Sequence, residues 1–184
     1  MNRLNAKELR TGERDAKLLK KIKRNPIYVV CDDVLDTYNT GSIFRLCDAV
    51  AVERLYLCGQ TETPPNPRIK KASVNTWQWV DWRYKETVAE AIGEIKEDAP
   101  GVRIAAIEQH EKSLPLSAYQ PEFPQVLIAG NESYGISPEA LALSDKIIEL
   151  PMFGVNRSLN VMVCLGIILY KMIDYLPKNK LVLK

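Results

Sequence analysis

The stretch Leu150–Tyr170, "LPMFGVNRSLNVMVCLGIILY", decides how the chain is read. A turn of Pro, Gly, Asn, Arg and Ser opens directly into one of the most apolar runs of the sequence. Three structures fit such a juxtaposition: a membrane anchor with a polar collar, a capped core helix, or a ligand site at a helix start. Length removes the first. The run from Leu159 to Tyr170 contains Asn160, and Lys171 and Asp174 interrupt its continuation, whereas a bilayer span needs roughly 20 mostly apolar residues. The N-terminal segment holds no apolar core of the signal-peptide kind. A soluble, cytoplasmic protein is expected.

At 184 residues, 46% hydrophobic and 26% charged, the chain is long enough for one good core and short for two domains. Cys31, Cys47, Cys58 and Cys164 form no CxxC pair, and three of them end apolar runs (YVVC, LYLC, VMVC). That is the pattern of core thiols rather than of a zinc site or a disulfide frame. His110, the single histidine, stands in the polar "EQHEKS", which discourages a metal centre or a Ser–His–Asp device. No metal is expected. Charge is uneven: residues 1–24 hold nine Lys or Arg against Glu8, Glu13 and Asp15, a net +6 where the whole chain carries +2. A basic arm, residues 1–25, on a mildly acidic body suggests contact with a polyanion. A solvated helix with ion pairs accounts for the charge alone equally well.

Between the arm and the opening stretch, strand and helix patterns alternate. "IYVVCDDV" is a continuous β-branched and aromatic run, as expected of a strand buried on both faces. "NTGSIFRLCDAVA" reads as a helix, "RLYLCG" as a strand, and the proline-rich "TETPPNPRIKKASVNT" as a loop. "KETVAEAIGEIKED" is an amphipathic helix, followed by strands "GVRIAAIE" and "FPQVLIAG". "SPEALALSD" is a helix with Ser137 as N-cap and Pro138 at its first position. "KIIELP" is a short strand, and Ser158–Tyr175 the last helix. The expected fold is α/β, an open parallel sheet with helices on both faces. It spans residues 26–177, between the arm and a tail at 178–184.

Ligands of such sheets bind at the carboxyl ends of strands. Three expected strand ends combine Gly with Asn, Ser, Glu or Arg: "NTGSIFR", "GNESYGIS" and "PMFGVNRSLN". Gly allows close backbone approach to a ligand, and carboxamides supply directional bonds. "GNESYGIS" lacks the Lys-Ser/Thr of a phosphate loop, and the GxGxxG fingerprint is absent, which discourages a nucleotide-binding oxidoreductase. Taken singly, each segment also reads as a capped turn, with Arg45 paired to Asp48 or elsewhere and Ser158 bonding the amides of the last helix.

Together the three carry more. Asn39, Gly41 and Arg45 make Asn-x-Gly-x-x-x-Arg; Gly130, Glu132 and Gly135 make Gly-x-Glu-x-x-Gly. Pro151, Met152 and Gly154 precede Ser158, Leu159, Asn160 and Val161. In this order, over about residues 27–176, the chain resembles the SpoU/TrmH family of RNA 2′-O-methyltransferases, in the SPOUT superfamily. It departs at Met162 and Cys164, where the family commonly has Ser and a small residue, and at Ser73-Val74-Asn75, where Gly usually follows Ser. The resemblance implies a C-terminal trefoil knot, the SPOUT fold, and a homodimer that packs the last helix near its partner. It implies S-adenosylmethionine bound in the knot's loops by the backbone of Leu127, Ile128, Ala129 and Gly130 with Leu150, Met152 and Leu159. The implied reaction is methylation of a ribose 2′-hydroxyl in tRNA or rRNA. Arg45 is the implied catalytic residue, with Asn39, Glu132, Ser158 and Asn160 orienting it and the ribose. Because a guanidinium stays protonated, with a pKa above ~12, Arg45 is expected to steady a phosphate and the developing alkoxide rather than to act as a base. Trp77, Trp79, Trp82 and Tyr134 are candidates for stacking on RNA bases, though core or dimer packing suits each tryptophan better. The alternative function is a non-catalytic RNA-binding or ribosome-assembly factor that keeps the knot; the intact motif residues weigh against it.

Overall fold

Alternation along Asn25–Asp32 (β1) sets the layers. Ile27, Val29 and Cys31 enter one core cluster while Tyr28 and Val30 enter the other, and all five are buried. Burial on both faces is what a central parallel strand requires. The structure, a computed structural model, describes residues 4–12 and 15–177; Arg3 and Arg14 of the arm and the expected tail at 178–184 lie outside the described residues.

The arm contributes α1 (Ala6–Thr11) and the single turn α2 (Ala16–Leu19) before β1. Then follow α3 (Thr37–Ala49), β2 (Val52–Cys58), α4 (Pro67–Ser73), β3 (Trp82–Lys85), α5 (Val88–Asp98) and β4 (Arg103–Ile107). The chain continues through β5 (Leu114–Pro115), β6 (Gln125–Ala129), α6 (Pro138–Ala142), β7 (Lys146–Glu149) and α7 (Val161–Ile173). Every strand pair is parallel, and the sheet order is β3-β2-β1-β6-β4-β7-β5. Five strands fall in the segments read as strands. The other two, β3 and β5, form the sheet's edges, where short polar or proline-containing segments pair without an apolar run to announce them.

Two expectations are corrected. The proline-rich segment contains a helix, α4: the Asn66 side chain accepts the Arg68 and Ile69 N–H groups at 2.9 and 3.4 Å, and Pro67 takes the first helical position. Its Ile69 is fully buried, and α4 lies so close to α3 that a Cβ on Gly41 would stand 2.5 Å from that of Ala72. Gly41 therefore admits a helix rather than a ligand. The last helix begins at Val161, not Ser158. Asn160 is its cap, its Oδ1 accepting the Met162 N–H at 3.0 Å.

Along α7, Leu165, Ile168, Leu169 and Met172 are fully buried in the core cluster that α3 shares. On its other side Val163, Ile167 and Tyr170 are exposed. No helix among the described residues is long and apolar enough to cross a membrane. The tryptophans pack inward: Trp82 meets Phe44 edge-on at 6.0 Å, Trp79 is buried, and Trp77 lies against the core. Tyr134 is 90% exposed.

The arm is tied down. Arg24 donates to the carbonyls of Val52 and Trp79 at 3.0 and 3.1 Å, and Asn75 Nδ2 donates to those of Leu9 and Arg10 at 3.0 and 3.1 Å. Val74 and Asn75, the pair at which the sequence departs from the motif it resembles, both adopt left-handed backbone, φ 52° and 66°. Such a conformation costs of order 1–3 kcal/mol for a non-glycine residue, and it falls where the arm docks.

A charge network joins β2, β3 and α5. Glu94 accepts from Lys85 at 2.6 Å, from the Tyr56 hydroxyl at 2.7 Å and from Arg83. Burial alone raises its carboxyl, but these bonds and the Arg83 and Lys85 charges outweigh that and pull it down to about 2. The unfolded carboxyl, near 4.3, takes up a proton first, so the stabilisation is full above about pH 4.3. It fades as the pH falls toward about 2. Glu94→Gln is expected to be less stable than the parent at pH 7 and to converge with it in acid, as read from urea midpoints across that range.

Candidate active site

The three Gly- and Asn-bearing segments meet at the carboxyl ends of β1, β6 and β7. Glu132 Oε1 accepts from Asn39 Nδ2 at 2.8 Å and from the Asp36 N–H at 3.1 Å, and Oε2 accepts the Leu35 N–H at 3.1 Å. Asn39 Oδ1 accepts from Asn160 Nδ2 at 2.9 Å. The polarity of this chain is forced. A carboxylate only accepts, so Asn39 must turn its NH2 to Glu132 and its oxygen to Asn160. Asn160 then donates sideways while its own oxygen caps α7. Burial by itself raises the Glu132 carboxyl. Hydrogen bonds from Asn39, from its own amide and from those of Leu35 and Asp36 outweigh burial and hold it below the usual carboxylate range.

The loop after β6 is a closed turn. Asn131 and Gly135 exchange backbone hydrogen bonds at 2.9 and 3.0 Å, and Asn131 Oδ1 accepts the Ser133 and Tyr134 N–H groups at 2.8 and 3.0 Å. Asn131 Nδ2 reaches the Asp33 carbonyl at 2.9 Å, tying the turn to the loop after β1. A Cβ on Gly130 would stand 2.5 Å from the Gly135 carbonyl carbon. Gly135 itself has φ 72°, and a Cβ there would meet Glu108 Oε2 at 2.1 Å. That carboxylate oxygen accepts the Ile136 N–H at 2.9 Å.

A cavity of about 530 Å³ lies between these loops, within the roughly 300–1,000 Å³ of small-molecule sites. Leu150, Met152 and Leu159 give it apolar walls; Gly130, Glu132, Ser158 and Asn160 give it polar ones. Apolar surface beside carboxylate and carboxamide acceptors suits a nucleoside bearing a short zwitterionic chain, so the residues present fit S-adenosylmethionine. Other residues named from the sequence stand elsewhere. Leu127, Ile128 and Ala129 are buried within β6, and of that run only Gly130 lines the cavity. Asn39 is buried behind Glu132 and does not line it. Arg45 is exposed, six residues beyond Asn39 on α3 and thus about 9 Å further along the axis. Among the described residues it makes neither a hydrogen bond nor an ion pair, so the pairing with Asp48 is not found.

Sequence reasoning missed Glu108, Gln109 and Glu149, which also line the cavity. Gln109 Nε2 donates to the Arg157 carbonyl at 2.6 Å, joining the loop after β4 to the one after β7. Glu108 and Gln109 follow β4 and Glu149 ends β7, both read as parallel strands, so their place at carboxyl ends was the available signal. Cys164 is half-buried on the cavity wall, while Cys31, Cys47 and Cys58 are buried, and all four are free thiols.

The family model of the SpoU rRNA methylases matches residues 26–170. A tRNA (guanosine(18)-2′-O)-methyltransferase of Aquifex aeolicus is 33% identical over 166 residues, covering 86% of this chain and 75% of the relative. Among solved structures, the A. aeolicus TrmH/SpoU tRNA modifying enzyme superposes with a TM-score of 0.75 at 31% identity, over 95% of this chain and 84% of that one. An AdoMet-bound rRNA methyltransferase from Sinorhizobium meliloti also gives 0.75, at 26% identity, over 86% of this chain and 60% of that one.

Proposed function

The chain belongs to the SpoU rRNA methylase family, and from that premise we propose that it moves a methyl group from S-adenosylmethionine to a ribose 2′-hydroxyl of structured RNA. One observation carries the reading: the Asn160–Asn39–Glu132 chain joins all three motifs beside a single nucleoside-sized cavity. A tRNA is the favoured substrate class, because the A. aeolicus relative bears a tRNA name.

When bound, S-adenosylmethionine supplies a methyl carbon activated by positive sulfur, so the protein's task is alignment and charge. Gly130, Leu150, Met152 and Leu159 would hold the cofactor, with Leu127, Ile128 and Ala129 fixing the strand that ends at Gly130. Glu132 is held by three donors from other residues, and with Ser158 and Asn160 it orients the ribose. Asn39 acts through both of its neighbours. Arg45 steadies the adjacent phosphate and the alkoxide as it develops, in keeping with its solvent-facing place on α3. The hydroxyl proton leaves through phosphate or water.

Two further features belong to this reading. The trefoil knot implied by the family resemblance is one of them: it would return the chain after β7 to α3, whose core cluster α7 shares. The exposed Val163, Ile167 and Tyr170 of α7 form an apolar stripe suited to a second subunit. Ile167→Glu is expected to convert a dimer to a monomer, read as a halved mass by sedimentation. The basic arm, docked by Asn75 and Arg24, contributes phosphate contacts.

The decisive experiment supplies the full chain with labelled S-adenosylmethionine and unmodified tRNA or rRNA, then maps the label by mass spectrometry. A 2′-O-methyl ribose is expected, with a guanosine at position 18 of tRNA the first to examine. Label on a base, or none on RNA, would refute the assignment.

A further inference from the structure

The cavity's charge is one-sided. Glu108, Glu132 and Glu149 line it, and among the described residues no lysine or arginine does. None of the three takes part in an ion pair among the described residues, where the ion pairs all involve other carboxylates. Two of them are also immobilised. Glu108 Oε1 and Oε2 accept the Gln109 and Ile136 N–H groups, each at 2.9 Å, and Glu132 is held by three donors. Fixed negative charge in a concave site with apolar walls acts on a ligand's charge more strongly than it does in open water.

We propose that Glu108 and Glu149 make this cavity select the cationic methyl donor over its product, which has lost the sulfonium charge. The inference rests on S-adenosylmethionine occupying the cavity. Loss of the methyl group turns a sulfonium into a neutral thioether, so S-adenosylmethionine carries one more positive charge than S-adenosylhomocysteine while sharing nearly all of its shape. The apolar walls of Leu150, Met152 and Leu159 would serve both molecules alike, which leaves the carboxylates to distinguish them. Glu108 is set apart from the other two by a second duty. It sits over Gly135, where no side chain fits, and braces the turn that carries Glu132. Its carboxylate thereby stays at the cavity wall. The consequence is functional: the spent cofactor is held less tightly than the fresh one, and product release is assisted by the chemistry itself.

The test is calorimetric titration of the full chain with S-adenosylmethionine, S-adenosylhomocysteine and sinefungin, an isosteric analogue bearing an ammonium near the sulfonium position. In the parent, the two cationic ligands are expected to bind about tenfold tighter than the thioether, with the gap shrinking as salt is added. Glu149→Gln is expected to weaken the two cations and leave the thioether unchanged, so that the gap narrows. Glu108→Gln should do the same; since it also alters the Ile136 contact, its melting temperature is measured alongside, and Glu149→Gln carries the conclusion if it unfolds. Equal affinities in the parent would overturn the proposal, as would a parallel loss for all three ligands in Glu149→Gln. Failure of all three to bind would instead strike at the cofactor reading on which the proposal stands.

Discussion

Replacing Arg45 by alanine is expected to lower methyl transfer by about 10²–10³-fold, the usual loss when one donor to a developing oxyanion is removed. The affinity for S-adenosylmethionine should not change, because Arg45 lies off the cavity wall and touches none of its lining through a hydrogen bond or ion pair. Stability should not change either, since the side chain is exposed and unpaired among the described residues. Arg45→Lys keeps the charge but loses the planar fork that grips a phosphate through two bonds, so it should recover only part of the rate. Single-turnover assays with labelled methyl, paired with calorimetry, separate these effects. Full turnover by Arg45→Ala would remove Arg45 from the mechanism and return attention to Glu132 and Ser158.

The second large effect belongs to Gly130. An added methyl would lie 2.5 Å from the Gly135 carbonyl carbon, 2.6 Å from its oxygen and 2.6 Å from the Ile136 nitrogen. All three are backbone atoms, so no side chain can swing aside and the whole turn must move. Glu132 then leaves Asn39, and Ile136 leaves Glu108. Gly130→Ala is expected to cost about 1–3 kcal/mol of stability and, through misplacement on the ångström scale, about 100-fold or more in methyl transfer. Binding of S-adenosylmethionine should weaken with it, since Gly130 lines the cavity. Gly154 makes the control, for it too is a motif glycine, yet among the described residues a methyl there meets nothing within 4 Å. Gly154→Ala should melt with the parent. If the two alanine variants melt together, the tight turn is not what Gly130 secures.

The two glycines show where reading along the chain stops. Both stand in motifs, and nothing local tells one from the other; the difference is the presence of another backbone 2.5 Å away. Gly41 adds a third case, its missing side chain answering to α4 rather than to a ligand. Signals confined to neighbours in sequence were legible. Ser137 and Pro138 opened α6 as their order implied, and the unbroken apolar run of β1 announced a strand covered on both faces. Asn66 and Pro67 carried the same kind of signal for α4, but the surrounding prolines obscured it.

By itself, then, the sequence determined the parallel sheet, the family and the three segments that meet, because burial pattern, capping and motif order are properties of short stretches of chain. Tertiary structure alone decided that Asn160 rather than Ser158 caps α7, that Asn39 bonds partners 93 and 121 residues away, and that Glu108 and Glu149 face the same cavity as Glu132. The physical reason is range. A hydrogen bond forms only near 3 Å, and which distant groups come that close is set by the order of strands in the sheet, which no local pattern encodes.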